Sequence, residues 1–197
     1  MDWTSLPFIV VSGLPGSGKS TLAHRLNPAL NLPVIDKDGI LESLYVSRGT
    51  GDNAWRRALS RESDRIFQEE AERSAGAILV SFWHLPGMPA DSGTPTDWLK
   101  ARTVCVHCSC KPETAVKRFL NRTRHPGHLD AKRSEAEVLA SFRALADLGR
   151  LPIEPRIEID TERDFDFPAL VLKLKAAVHL DNFRSAATPR SKPTNYE

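Results

Sequence analysis

The chain has 197 residues, a net charge of +2 and 26% charged side chains, which suits one domain able to bury a sizeable core. So small a charge argues against nucleic acid or an anionic membrane surface as a partner, and no apolar run approaches the ~20 residues that span a bilayer. The three cysteines crowd into Cys105, Cys108 and Cys110, and the start, MDWTSLPFIVVSG, carries no export signal, so reduced thiols and a cytoplasmic protein are expected.

PFIVVSG (7–13) is short, continuous and β-branched, as a strand buried on both faces requires. GLPGSGKS follows at 13–20 and fits G-x-x-x-x-G-K-[ST], the phosphate-binding P-loop. Gly13, Gly16 and Gly18 admit backbone angles that a Cβ forbids. The chain can therefore curl through Leu14, Pro15 and Ser17 and turn its N–H groups inward as an anion nest. A helix opening near Gly18 and running on through Thr21 adds its positive end to the same spot. Lys19 supplies a full charge for the β- and γ-phosphates, and Ser20 a hydroxyl for Mg²⁺.

KSTLAHRL continues as a helix that Pro28 is expected to end. LPVID (32–36) reads as a second strand and DGILESLYVS (38–47) as a helix. RGTGDN (48–53) is a loop with Asp52 or Asn53 as N-cap. A long charged helix spans about 54–74, with Trp55, Leu59 and Ile66 on its inner face. Its arginines (Arg56, Arg57, Arg61, Arg65) form a solvated face of i,i+4 pairs, one of them within reach of an acidic acceptor. GAILVSFW (76–83) is a third strand, and HLPGMPADSGTPTD after it is too rich in Pro and Gly to be regular. WLKA reads as the end of a short helix and TVCVHCSC (103–110) as a fourth strand. Pro112 opens the helix PETAVKRFLNRTR, which HPGHLD breaks. Residues 134–150 form a helix from the N-cap Ser134 to Gly149. PRIEIDT (155–161) is a fifth strand and FPALVLKLKAAVHL a last helix. The segment 184–197 has almost no large apolar residue and reads as a disordered tail, leaving 1–183 as a single domain.

Apolar strands alternating with helices indicate a parallel sheet covered on both faces, with ligands beyond the carboxyl ends of the strands. Asp36 and Asp38 stand at the mouth of the second strand. A phosphoryl acceptor needs its hydroxyl held in line and its proton accepted, and a carboxylate there can do both. Asp38 can also cap the helix that follows, and Asp36 can be a solvated loop charge. The third strand ends on Ser81 and His84 rather than on the acid that many P-loop enzymes use to position Mg²⁺. The metal then rests on Ser20, Asp36 or Asp38 and water, or turnover is weak. Trp83 fits either an acceptor pocket or the core, and His84 stands beside it. Arg118, Arg122 and Arg124 crowd before the hinge-like HPGH, which suits a basic lid around 118–133 closing over triphosphate. The same arginines also suit a solvated helix end. A metal site at His125 and His128 would need further ligands. Cys105 and Cys108 have zinc-like spacing, but strand alternation puts Cys105 with His107 on one face and Cys108 with Cys110 on the other.

GLPGSGKSTLAHRL, LPVIDKDGI, KRFLNRTRHPGH and IEIDTE together resemble the small P-loop kinases related to nucleoside-monophosphate kinases. The likeness is to the group of zeta-toxin-like, chloramphenicol-phosphotransferase-like and gluconate- or shikimate-kinase-like proteins, often labelled AAA-family ATPases, and covers about 7–180. It implies a three-layer α/β/α sandwich, a five-stranded parallel sheet in the order 2-3-1-4-5, a small helical lid, and ATP with Mg²⁺. It implies further that Asp38 serves the acceptor and Arg124 contacts phosphate. Arg118 and Arg122 would lie on the adenine side with Asp160 and Thr161. Leu41 stands where polynucleotide 5′-kinases carry an arginine, which weakens that assignment. The resemblance points to an ATP-dependent kinase of a small hydroxylated molecule, monomeric or homodimeric. A P-loop module that binds or hydrolyses nucleotide as a switch is the alternative.

Overall fold

The computed structural model describes residues 7–99, 103–129 and 133–186. Five parallel strands form its centre: β1 (Phe8–Ser12), β2 (Val34–Asp36), β3 (Ala77–Val80), β4 (Thr103–Ser109) and β5 (Arg156–Asp160). Their order is β2-β3-β1-β4-β5, the expected one. Six helices connect and cover them: α1 (Lys19–Leu30), α2 (Lys37–Arg48), α3 (Asn53–Arg73), α4 (Pro112–Leu120), α5 (Glu135–Asp147) and α6 (Phe167–Ala186).

The central strands are apolar on both faces because both faces are covered. Ile9, Val11, Ile78, Val80, Val104 and Val106 pack against α1 and α6. The alternate residues Val10, Leu79 and Cys105 pack against Phe67 and Ala71 of α3. Two smaller clusters build the walls of the cleft above the strand ends. Leu41, Leu44 and Tyr45 of α2 meet Leu59 of α3, and Ala115, Val116 and Phe119 of α4 meet Val138 and Phe142 of α5. Ser134 and Glu137 close a capping box at the start of α5.

Several elements differ from their sequence reading. Pro28 does not end α1, which runs on to Leu30. In the last turn its missing N–H removes a single helical bond, and Asn31, at φ 53°, turns the chain out. The inner stripe of α3 is Leu59, Ser63, Phe67 and Ala71. Trp55 is 39% exposed and donates its indole N–H to Gly49 O (3.1 Å). Trp98 and Leu99 lie in a turn, not a helix, while Lys100 and Ala101 fall outside the described residues. Helix α4 stops at Leu120. At the other end of the chain, α6 takes in residues 184–186, which were read as tail; 187–197 lie outside the described residues.

Candidate active site

The P-loop crosses from β1 to α1 with Gly13, Gly16 and Gly18 at φ 133°, 81° and 92°, angles at which a side chain is strained. Space is short as well. A Cβ on Gly13 would lie 2.4 Å from Cys108 O, and one on Gly16 2.3 Å from Ala115 O. The loop is thus wedged between the end of β4 and α4. Ser17 N closes its turn on Leu14 O at 3.0 Å. Lys19 Nζ donates to Gly13 O (3.0 Å) and Leu14 O (2.9 Å). Burial pulls the Lys19 pKa down, while Cys108, Asp38 and Asp36 push it back up.

Facing the loop, the two carboxylates after β2 divide their work. Asp36 is the N-cap of α2: its Oδ1 accepts from Asp38 N (3.0 Å) and its Oδ2 from Ser20 Oγ (2.9 Å). The cap that Asp38 might have made belongs to Asp36, because only the residue outside the helix can fold its side chain back on the first turn. Asp38 is left open to the cleft, ion-paired with Arg124. Desolvation raises the Asp36 pKa against the Ser20 hydrogen bond. The same desolvation acts on Asp38, but Arg124, His128, Arg122 and Lys19 outweigh it and hold its carboxyl below the usual value. Between them Lys37 turns inward, 2.7 Å from Asp64 of α3.

These groups line one cavity of about 780 Å³, reaching from Gly16, Lys19 and Ser20 across Asp36 and Asp38 to Arg124. Arg56, Arg57, Arg61 and Asp64 of α3 form the opposite wall. Trp83 and His84 do not line it, and of the two readings open for Trp83 the structure takes the core one. Trp83 is buried, edge-on to Phe67, and donates to Val11 O (2.9 Å). His84 Nδ1 pairs with Ser92 O (2.7 Å) and pins the following loop. The residues that do reach the cavity from the end of β3 are Ser81 and Phe82. Ser81 Oγ meets Thr94 Oγ1 at 2.5 Å, and Thr94 donates to Asp64 Oδ1 at 2.7 Å. The acid beside β3 therefore comes from α3. Residues 57, 61 and 64 repeat at helical spacing, and that repeat is the signal by which the sequence could have shown a functional face rather than a solvated one.

The family model described as an AAA domain matches residues 8–148. The chain belongs to the AAA-domain family. A shikimate kinase of Corynebacterium glutamicum is 31% identical over 127 residues, 61% of this chain and 69% of the relative. A shikimate kinase of Mycobacterium marinum is 31% identical over 160 residues, 80% of this chain and 82% of the relative. The solved structure of a kinase-like protein from Chloroflexus aurantiacus superposes with a TM-score of 0.73 at 26% identity, covering 88% of this chain and 98% of that one. Together these make the AAA-domain chain a small P-loop kinase related to the shikimate kinases.

On the other flank of the P-loop of this AAA-domain kinase, Arg118 donates to Thr161 O (2.8 Å) and Thr161 Oγ1 (3.2 Å). Arg122 lies over the Phe119 ring, 4.6 Å from its centroid. Asp160 is spent on its own turn: it accepts from Glu162 N (2.9 Å) and pairs with Arg163 (3.4 Å), away from the cavity. Beyond α4 the chain forms a strap, with residues 121–125 in neither helix nor strand and one 3₁₀ turn at Pro126–His128, while residues 130–132 of the segment read as a lid lie outside the described residues. The cysteines stay thiols, since burial raises Cys105 to about 11 and Cys108 to about 12. Ser12 Oγ bonds Cys105 Sγ (3.2 Å) and His107 Nδ1 (3.0 Å). Those two share a face, and Cys108 packs on the other. No helix among the described residues is long and apolar enough to cross a membrane.

Proposed function

We propose that this kinase transfers the γ-phosphate of ATP to a hydroxyl of a small anionic acceptor. The observation that carries the reading is the single cavity in which the P-loop lysine, the open carboxylate of Asp38 and the strap arginine Arg124 face one another. Lys19 and the loop amides hold the β- and γ-phosphates. Asp38, ionised throughout the neutral range, orients the acceptor hydroxyl and takes its proton as the bond to phosphorus forms. Arg124 sits within the same contact sphere and meets the charge that spreads over the phosphoryl oxygens.

Mg²⁺ fits the pair Ser20 and Asp36, whose hydroxyl and carboxylate lie 2.9 Å apart at the mouth of the loop. Bound there, the ion would neutralise the phosphate oxygens. Arg118, held flat by its two bonds to Thr161, offers a platform for the base. The anionic character of the acceptor is supported by Arg57 and Arg61, both exposed and both lining the cavity. Guanidinium pairs match a carboxylate or phosphate. Shikimate, the acceptor in the name of two relatives, is a hydroxylated carboxylic acid and the natural first probe.

The test is ADP release from MgATP with and without a panel of hydroxy acids, sugar acids, sugar phosphates and nucleosides. A kinase of this kind is stimulated by an anionic member. Hydrolysis that no member changes points instead to the switch reading and refutes this one.

A further inference from the structure

Asp38, Glu42 and Tyr45 stand at i, i+4 and i+7 on α2 and share one face. The strap meets that face residue by residue. Arg124 pairs with Asp38. His128 Nε2 lies 2.9 Å from Glu42 Oε1. The Tyr45 ring stacks on His125 at 5.2 Å and meets His128 edge-on at 5.5 Å. Gly127 lies against the same ring, where a Cβ would fall 2.6 Å from Tyr45 Cδ2. The His125 ring closes the turn by accepting from Gly127 N (3.2 Å). Only 3% of the His128 side chain is exposed, and Tyr45 is buried at 2%. So the end of the strap is packed like core, which does not suit a loop tip open to solvent.

Between α4, which ends at Leu120, and the turn at Pro126, residues 121–125 belong to no helix or strand. Arg124 therefore sits on a stretch outside any helix or strand, between α4 and the turn packed on Tyr45. We propose that Glu42, Tyr45 and His128 are positioning residues that pin the far end of the strap to α2 and so deliver Arg124 to Asp38. They touch neither nucleotide nor acceptor; they set the local concentration of the guanidinium at the carboxylate. A tether of four residues from His128 back to Arg124 keeps that concentration high, and loss of the pin lets the arginine range over a much larger volume. The pin itself needs no nucleotide. Its use in catalysis rests on the reading of Asp38 and Arg124 given above.

The test therefore starts without an acceptor. Trypsin cleavage after Arg122 and Arg124 is followed in the wild type and in Glu42→Ala, Gly127→Ala and Glu42→Gln, together with hydrogen exchange of the backbone amides of residues 121–125. Losing a hydrogen bond to a charged group opens the strap by on the order of tenfold. Glu42→Ala and Gly127→Ala are thus expected to be cut about tenfold faster, with the amides of 121–125 exchanging faster in step. Glu42→Gln keeps an acceptor for His128 and is expected to restore most of the protection. Melting temperatures that stay within about 4 °C of the wild type separate this effect from general unfolding. Equal cutting and equal amide exchange in all four proteins overturn the proposal. Wild-type ADP release that no acceptor stimulates overturns the functional reading instead, and leaves the cleavage result to decide the pin.

Discussion

Asp38→Asn separates the chemistry of the acceptor carboxylate from its place in the fold. The side chain keeps its shape, and the cap on α2 is untouched because Asp36, not Asp38, accepts from the helix N–H groups. What changes is one negative charge facing Arg124 and open to the cavity. With the Asp38 side of the pair half exposed, solvent screening keeps its contribution to stability at about 0.2–1 kcal/mol, so the melting temperature should barely move. ATP affinity should stay within about twofold, since the P-loop amides and Lys19 remain in place. Turnover has no such reserve. The asparagine cannot take the acceptor proton, and a lost general base lowers kcat by on the order of 10²–10⁴, or about 2.7–5.5 kcal/mol in the barrier. ADP release at saturating ATP and acceptor measures kcat, and a fluorescent ATP analogue measures nucleotide affinity in the same preparation. The reasoning fails if kcat is normal, or if ATP affinity falls as far as kcat does.

Lys19→Ala removes the one full charge inside the loop. A charge-assisted contact is worth roughly 1.5–3 kcal/mol, so calorimetry should show ATP affinity reduced at least tenfold and turnover lost. Arg61→Ala, on the wall opposite the P-loop, should raise the acceptor KM several-fold and leave the ATP KM alone; steady-state kinetics in both substrates decides it. For Asp36 the sign follows from its raised pKa: the ionised form costs stability above the ordinary aspartate value of 3.8, and below that value both states are protonated and the cost vanishes. Asp36→Asn keeps a good N-cap and should melt higher than wild type at pH 7. That gain should disappear as the pH falls below about 4, with Mg²⁺-dependent turnover reduced throughout; thermal melts across pH, paired with activity against Mg²⁺ concentration, test both halves.

The sequence alone determined the parts whose physics is local. GLPGSGKS names a phosphate cradle because glycine angles, a lysine and a hydroxyl must be contiguous to build one. β1 and β3 were legible because a strand covered on both faces must be an unbroken apolar run, and that run needs no knowledge of its partners; β5, RIEID at the sheet edge, showed itself by alternation instead. Which of the carboxylates Asp36 and Asp38 caps α2 was not legible, since a shift of two residues at the helix start reverses the roles. Pocket or core was left open for Trp83, because past the end of β3 the chain leaves the strand pattern; the structure buries it in the core beside the bridge from Trp83 to Thr94. The α3 arginines looked solvated because their helix is rich in both charges and does pair some of them along its own surface, as Arg65 and Glu69 show. Only the packing of Leu59 against α2, a contact between helices, rotates Arg57, Arg61 and Asp64 toward the P-loop. Tertiary structure alone brings Arg124 and His128 onto Asp38 and Glu42, 86 residues away, because no local propensity couples positions so far apart in the chain.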